Sequence, residues 1–182
     1  MTAGPADRLA AADRLAPADR LAPAEAALAP SRRAAQFVVG GYVVESGRVL
    51  LMWHSQLDRW VPPGGRIAMA NGEYPHEAVV RGVKAECGLE IAVGVATEPG
   101  PGDAFASPVP SPVAMQEIRL ASGEYYLDMV YFCRRTGGSV TLDYREARAY
   151  HWFDASDLEN YPLVPHIQRF AYRALDWDSA SQ

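Results

Sequence analysis

With 182 residues, 49% hydrophobic and 21% charged, the chain has the size and balance of one compact domain and leaves little room for two. Its 17 Lys and Arg against 22 Asp and Glu give a formal net charge of −5, which excludes a general basic field for nucleic acid but not a small phosphorylated ligand bound through local groups. No apolar run approaches membrane-spanning length, so no membrane contact is expected, and Cys87 and Cys133, at no metal spacing, read as buried thiols of a reducing, cytoplasmic compartment.

Ala6 to Pro30 reads ADRLAA, ADRLAP, ADRLAP, AEAALAP. That period matches no helical repeat, and Pro17, Pro23 and Pro30 interrupt any long helix. Asp7, Asp13, Asp19 and Glu25 argue against a transit peptide, and no uninterrupted apolar core marks a secretory signal. Residues 1–35 are expected to be a disordered low-complexity tail, with docking to a partner as its alternative use, and residues 36–178 the folded domain.

QFVVGGYVV (36–44) and RVLLMWH (48–54), joined by the turn signal Glu45-Ser46-Gly47, predict a pair of strands. WVPPGG (60–65) runs from a short apolar piece into a Pro-Gly cluster and predicts a loop. Pro75 to Cys87 has helical spacing: Ala78, Val79, Val83 and Cys87 fall on or near one face, Pro75 suits the first turn and Gly88 the residue past the end. LEIAVGVATE (89–98) has strand texture, and the proline-rich 99–112 segment predicts an exposed loop. VAMQEIRLA (113–121) and EYYLDMVYFCRR (124–135) read as strands joined at Ser122-Gly123, and ARAYHWFD (147–154) as another. A closing helix from Leu163 to Trp177 would bury Ile167, Phe170, Ala171, Ala174 and Leu175. Strands around one interior helix, closed by a second, imply a layered α/β domain with a mixed sheet.

Residues 64–89 read GGRIAMANGEYPHEAVVRGVKAECGL. The segment resembles the Nudix box, G-x5-E-x7-R-E-U-x-E-E-x-G-U with U aliphatic. Glu73 stands eight residues before Arg81, and Val83, Glu86, Gly88 and Leu89 fall on their places; Gly65 to Glu73 is two residues longer than the pattern. The W-V-P-P-G-G lead-in and a WF followed by an acidic short helix (Trp152 to Glu159) agree, so the resemblance covers residues 36–176. It implies an α/β/α sandwich with a mixed sheet, and a pyrophosphate-cleaving activity on a nucleoside diphosphate linked to another moiety. It further implies Mg²⁺, with Mn²⁺ as its substitute, a small nucleotide-derived ligand, and the homodimer that many relatives form.

Two departures bear on the chemistry. Where the family has Glu after Arg, this chain has Gly82, and where it has the first Glu of its pair, this chain has Ala85. Positions 82 and 86 lie one turn apart on one face, so Glu86 alone remains of the box carboxylates that face the metal. A mid-helix glycine is also about 1 kcal/mol worse than alanine, so Gly82 reads as a loss without structural return. The expectation is a weakly held ion and attenuated activity, with a catalytically inactive nucleotide-binding domain as the alternative. Should Glu86 face away from every cleft, or pair with an arginine, the enzymatic reading fails.

The resemblance assigns metal ligation to Glu86 and to a carbonyl of the Gly-Gly pair, here Gly65, and a loop-pinning role to Glu73 and Arg81. Glu86, Glu146 just before the WF-bearing strand, and Asp128 in YYLDMVYF are the catalytic candidates. Arg59 and Arg66 are candidate phosphate contacts, and Trp60 and Tyr126 candidate stacking surfaces for a base. His54 and Glu117 are weaker candidates for the cleft, and Glu77 reads as a solvated partner of Arg81.

Overall fold

Ser46 and Gly47, both with positive φ (51° and 70°), fold the first apolar run back on the second. β1 (Gln36–Glu45) and β2 (Arg48–His54) are therefore antiparallel neighbours, with Val44 opposite Val49. The computed structural model describes residues 36–94, 101–120 and 123–180. The repeat tail expected at 1–35 and the far end of the 89–98 run lie outside the described residues.

The WVPPGG stretch departs from its expected loop. It supplies two three-residue strands, β3 (Arg59–Val61) against β2 and β4 (Gly64–Arg66) against β1. β4 can lie on β1 because Gly64 has no side chain: a Cβ there would stand 1.9 Å from the Val39 carbonyl oxygen.

The helix predicted from Pro75 to Cys87 has those bounds in the structure and is α1. Proline fixes its first turn, and Gly88 (φ 73°) ends it by donating its N–H to the Lys84 carbonyl. Glu77 caps it rather than pairing with Arg81, accepting the Tyr74 N–H at 2.9 Å. β5 (Glu90–Val93), β6 (Ala114–Arg119), β7 (Tyr125–Gly137) and β8 (Ala147–Phe153) follow. Two helices close the chain: α2 (Ala155–Asn160), whose Asp157 N–H bonds the Asp154 carboxylate, and α3 (Pro165–Ala180).

The sheet runs β3-β2-β1-β7-β5, with β4 on β1, β6 on β7 and β8 on β2. Only the long β1–β7 pairing is parallel, so the sheet is mixed. On one face Val39, Val43 and Tyr131 pack against Val79 and Val83 of α1; on the other Tyr42, Val130 and Phe132 pack against Phe170, Ala171 and Ala174 of α3. This is an α/β/α sandwich. α3 outruns its predicted end because Asp178, buried beyond the half-buried Leu175, pairs with Arg134 at 3.0 Å.

Trp60, expected as a stacking surface for a base, belongs to the core instead. It is 3% exposed and meets Trp53, Phe153 and Tyr161 edge to face, with centroids 5.5, 5.1 and 6.3 Å away. Cys87 and Cys133 are free and buried, and burial pushes their thiols up to about 11 and about 12. No described helix is long and apolar enough to cross a membrane.

Candidate active site

The box helix approaches the sheet more closely than any side chain at position 82 would allow. A Cβ on Gly82 would stand 1.9 Å from the Gly64 carbonyl oxygen and 2.6 Å from its carbon. Gly64 is thus clamped between the Val39 carbonyl on one side and α1 on the other. The glycine that reads as a gratuitous loss in a helix is the residue that permits this contact, which corrects the sequence-based view of it.

Glu86, one turn further along α1, faces the cleft this contact shapes. The cleft has a volume of about 810 Å³ and is bounded by β4, α1, the ends of β1, β6 and β7, and the start of α3. Glu86 Oε2 accepts the Gly64 N–H at 2.9 Å, and among the described residues the carboxylate forms no ion pair. Burial pushes its pKa up to about 7; the Gly64 N–H opposes that, and the charges of Glu146 and Asp143 add to it. Neither condition that defeats the enzymatic reading is met: the side chain lines a cleft and pairs with no arginine.

Glu146 reaches the same cleft from the turn before β8, anchored by its carbonyl, which accepts the Ser55 N–H at 2.8 Å. His54 Nε2 lies 4.0 Å from Glu146 Oε2. The His54 Nδ1 accepts the backbone N–H groups of Gln56 and Leu57, both at 3.2 Å, so the ring is neutral with its proton on Nε2. Burial, which lowers the His54 pKa, favours that same neutral state over an ion pair.

Asp143 completes the acidic group and was not found from the sequence. Its loop docks on the end of α1 through backbone bonds, Asp143 N–H to the Glu86 carbonyl and Thr141 N–H to the Cys87 carbonyl, both 2.9 Å. Side-chain bonds from Arg145 hold the Asp143 carboxyl down at about 2. An Asp-x-Arg spacing in a turn was the only signal available, and exposed turns carry it commonly.

Asp128 lines the cleft but is not among the charges acting on Glu86; its charge acts on Tyr42. Arg59 and Arg66 line it as well. The Arg66 guanidinium contacts the Tyr126 hydroxyl at 3.4 Å and lies 5.9 Å from the centre of its ring. Gly65, at φ 136°, borders Glu86, whose Oε1 would be 3.8 Å from a Cβ there. Glu117 is exposed and does not line the cleft.

Arg81, at the wall of the cleft, grips Glu73 with two bonds (Nε to Oε1 2.6 Å, Nη2 to Oε2 3.0 Å) and donates to the Arg66 carbonyl at 2.8 Å. Glu73 also accepts the Ala68 N–H at 2.7 Å. The pair therefore ties the 66–73 loop to α1.

Among the described residues no three Asp, Glu, His or Cys side chains are grouped so as to enclose an ion. The donors nevertheless suit one hard cation that takes part of its shell from a ligand. Glu86 is a half-buried carboxylate with two more carboxylates raising its proton affinity, and such a group is relieved by a cation. Magnesium commonly binds through one or two carboxylates, retained waters and substrate phosphates rather than an all-protein cage.

A family model described as the NUDIX domain matches residues 34–175. Among solved structures, a NUDIX-family hydrolase from Clostridium perfringens is 24% identical over 80% of this chain and 99% of its own, with a TM-score of 0.69. A MutT protein from Methanosarcina mazei is 18% identical over 82% of this chain and 99% of its own, at 0.61. An ADP-ribose pyrophosphatase from Streptococcus suis is 16% identical over 80% of this chain and 92% of its own, at 0.55. At such identities the likeness is one of fold. No curated protein matches the chain.

Proposed function

The chain belongs to the Nudix family, and from that premise we propose that it slowly hydrolyses the pyrophosphate bond of a nucleoside diphosphate linked to another moiety. Nudix hydrolases act on such substrates and generally use divalent metals. One divalent ion, Mg²⁺ or Mn²⁺, would be held by Glu86, the Gly65 carbonyl and the ligand's own phosphates. The observation that carries this reading is the state of Glu86: cleft-facing, in no ion pair among the described residues, and with a pKa that burial pushes up to about 7 even though the Arg81 charge opposes the rise.

When bound, the ion supplies Lewis-acid polarisation of the phosphoanhydride and neutralises developing charge. The protein's residues do the rest. Arg59 and Arg66 bind phosphate oxygens, and Gly64 fixes the Glu86 carboxylate through its N–H. Glu146 accepts the proton of the attacking water as its oxygen bonds to phosphorus and the bridging P–O bond breaks. Neutral His54 sits beside Glu146 without neutralising it. With Ala85 and Gly82 supplying no carboxylate, slow turnover follows.

The test is product release, followed by phosphorus NMR, from a panel of sugar-linked and dinucleoside diphosphates with Mg²⁺ or Mn²⁺. Wild type should turn over, and Glu86→Gln should lose roughly 10²-fold or more, the scale of one acid–base or ligating group. Equal rates in the two proteins would overturn the assignment. The Gly82–Gly64 contact favours a second reading, a nucleotide-binding domain without catalysis, because it leaves no space for the family's carboxylate. That reading prevails if both proteins are inert while a nucleotide still raises the melting temperature.

A further inference from the structure

Asp128 lines the cleft and has no part in that chemistry. Asp128 is 8% exposed in the middle of β7, and among the described residues its sole hydrogen-bond donor is Gln116 Nε2, 2.9 Å from Oδ2. Among the described residues it forms no ion pair. A buried carboxylate without a cation is costly, and a sheet gains nothing from it that an apolar residue would not supply.

The strand registers show what surrounds it. Arg66, Val38, Asp128 and Gln116 are successive partners across β4, β1, β7 and β6, and Tyr126 is partnered by Ile118 in the adjacent row. Partnered residues, and residues two apart on one strand, share a face. Val38, Ile118 and Tyr126 thus form an apolar floor in the cleft, with Asp128 set into it and Arg66 at its edge. Gly40 leaves room beside the free oxygen: a Cβ there would stand 3.5 Å from Asp128 Oδ1. Two strand spacings separate the Arg66 and Asp128 backbones, on the order of 10 Å, comparable to the reach of a nucleoside from base edge to 5′-phosphate, and the Arg66 guanidinium stands beside the Tyr126 hydroxyl at the rim of the floor.

We propose that Asp128 reads the nucleobase, accepting hydrogen bonds from the adjacent ring N–H and exocyclic amino group of a guanine-type base that lies on the floor of Val38, Ile118 and Tyr126. Only that edge offers two neighbouring donors to a carboxylate. Adenine and cytosine set a ring acceptor beside the amino group, and uracil flanks its N–H with two carbonyl oxygens that the carboxylate repels. The same negative charge keeps phosphates away from this end of the cleft and turns them toward Arg66. Gln116 acts as a positioning residue by fixing Oδ2. The inference rests on the nucleotide reading of the cleft, though not on hydrolysis.

Calorimetric affinities of GDP, ADP, CDP and UDP for the full chain, wild type and Asp128→Asn, test it. Asparagine keeps an acceptor for Gln116, and the melting temperature of the variant reports whether it folds. Wild type should bind GDP roughly tenfold or more tighter than UDP, and the variant should bring that ratio within about threefold, losing GDP affinity while UDP, relieved of the carboxylate's repulsion, binds at least as well as to wild type. A wild-type preference for ADP or CDP, a ratio near one, or a GDP preference that survives in the variant overturns the assignment. Failure of every nucleotide to bind overturns the nucleotide reading with it. An Asp128-dependent GDP preference without any turnover leaves this inference standing and removes hydrolysis alone.

Discussion

At position 82 the absence of a side chain sets the distance between the box helix and the Gly64 backbone. Helix propensity alone says that Gly82→Ala should stabilise the protein by about 1 kcal/mol. The 1.9 Å approach to a backbone carbonyl says the opposite, and a destabilisation of about 1–3 kcal/mol is expected from overpacking. Urea denaturation reads the sign directly. For the same reason Gly82→Glu does not restore the family's site without moving Gly64, whereas Ala85→Glu, exposed on the cleft, should raise turnover. Glu86 gives a pH signature at this scale. Its pKa is raised from 4.5 to about 7 in the folded state, so between those values the folded protein binds more protons and stability falls as pH rises. In the presence of a chelator, Glu86→Gln should therefore match wild type near pH 4.5 and exceed it above pH 7 by on the order of 1–3 kcal/mol. A constant difference across that range would refute the burial of a strained carboxylate.

Among the elements, α1 was legible to the residue because its limits are written locally, in Pro75 and Gly88. β3 and β4 were not, because three-residue strands exist only through their partners; nothing in WVPPGG reveals that Gly64 can lie on the Val39 carbonyl. Trp60 was misplaced for a related reason: alternation says a strand aromatic has a face, not whether that face meets a ligand or Phe153. Glu86, Glu146 and Arg66 came from motif and position, while Asp143 is brought to the cleft by loop-to-helix backbone bonds that leave no pattern in sequence. The Glu73–Arg81 pair acts at the scale of the loop. Its arginine is half exposed, so Arg81→Ala should cost little global stability. The Ala68 amide, which bonds the Glu73 carboxylate, should exchange with solvent faster in that variant, and hydrogen exchange at that amide measures the effect.

For the whole molecule, two hydrophobic layers flank a mixed sheet, and the cleft opens at the ends of β1, β6 and β7, between α1 and the start of α3. Glu86 enters the cleft from α1 and Asp128 from the sheet, so the proposed reading places ligand phosphates and base at opposite ends. The account depends on an ion that the protein holds poorly alone and well with a phosphorylated ligand. Titration of Mn²⁺ into the full chain, with and without GDP, tests this by the reciprocity of linked binding. The expected result is Mn²⁺ affinity raised roughly tenfold or more by nucleotide and lost in Glu86→Gln. Equal Mn²⁺ binding in wild type and Glu86→Gln would contradict it.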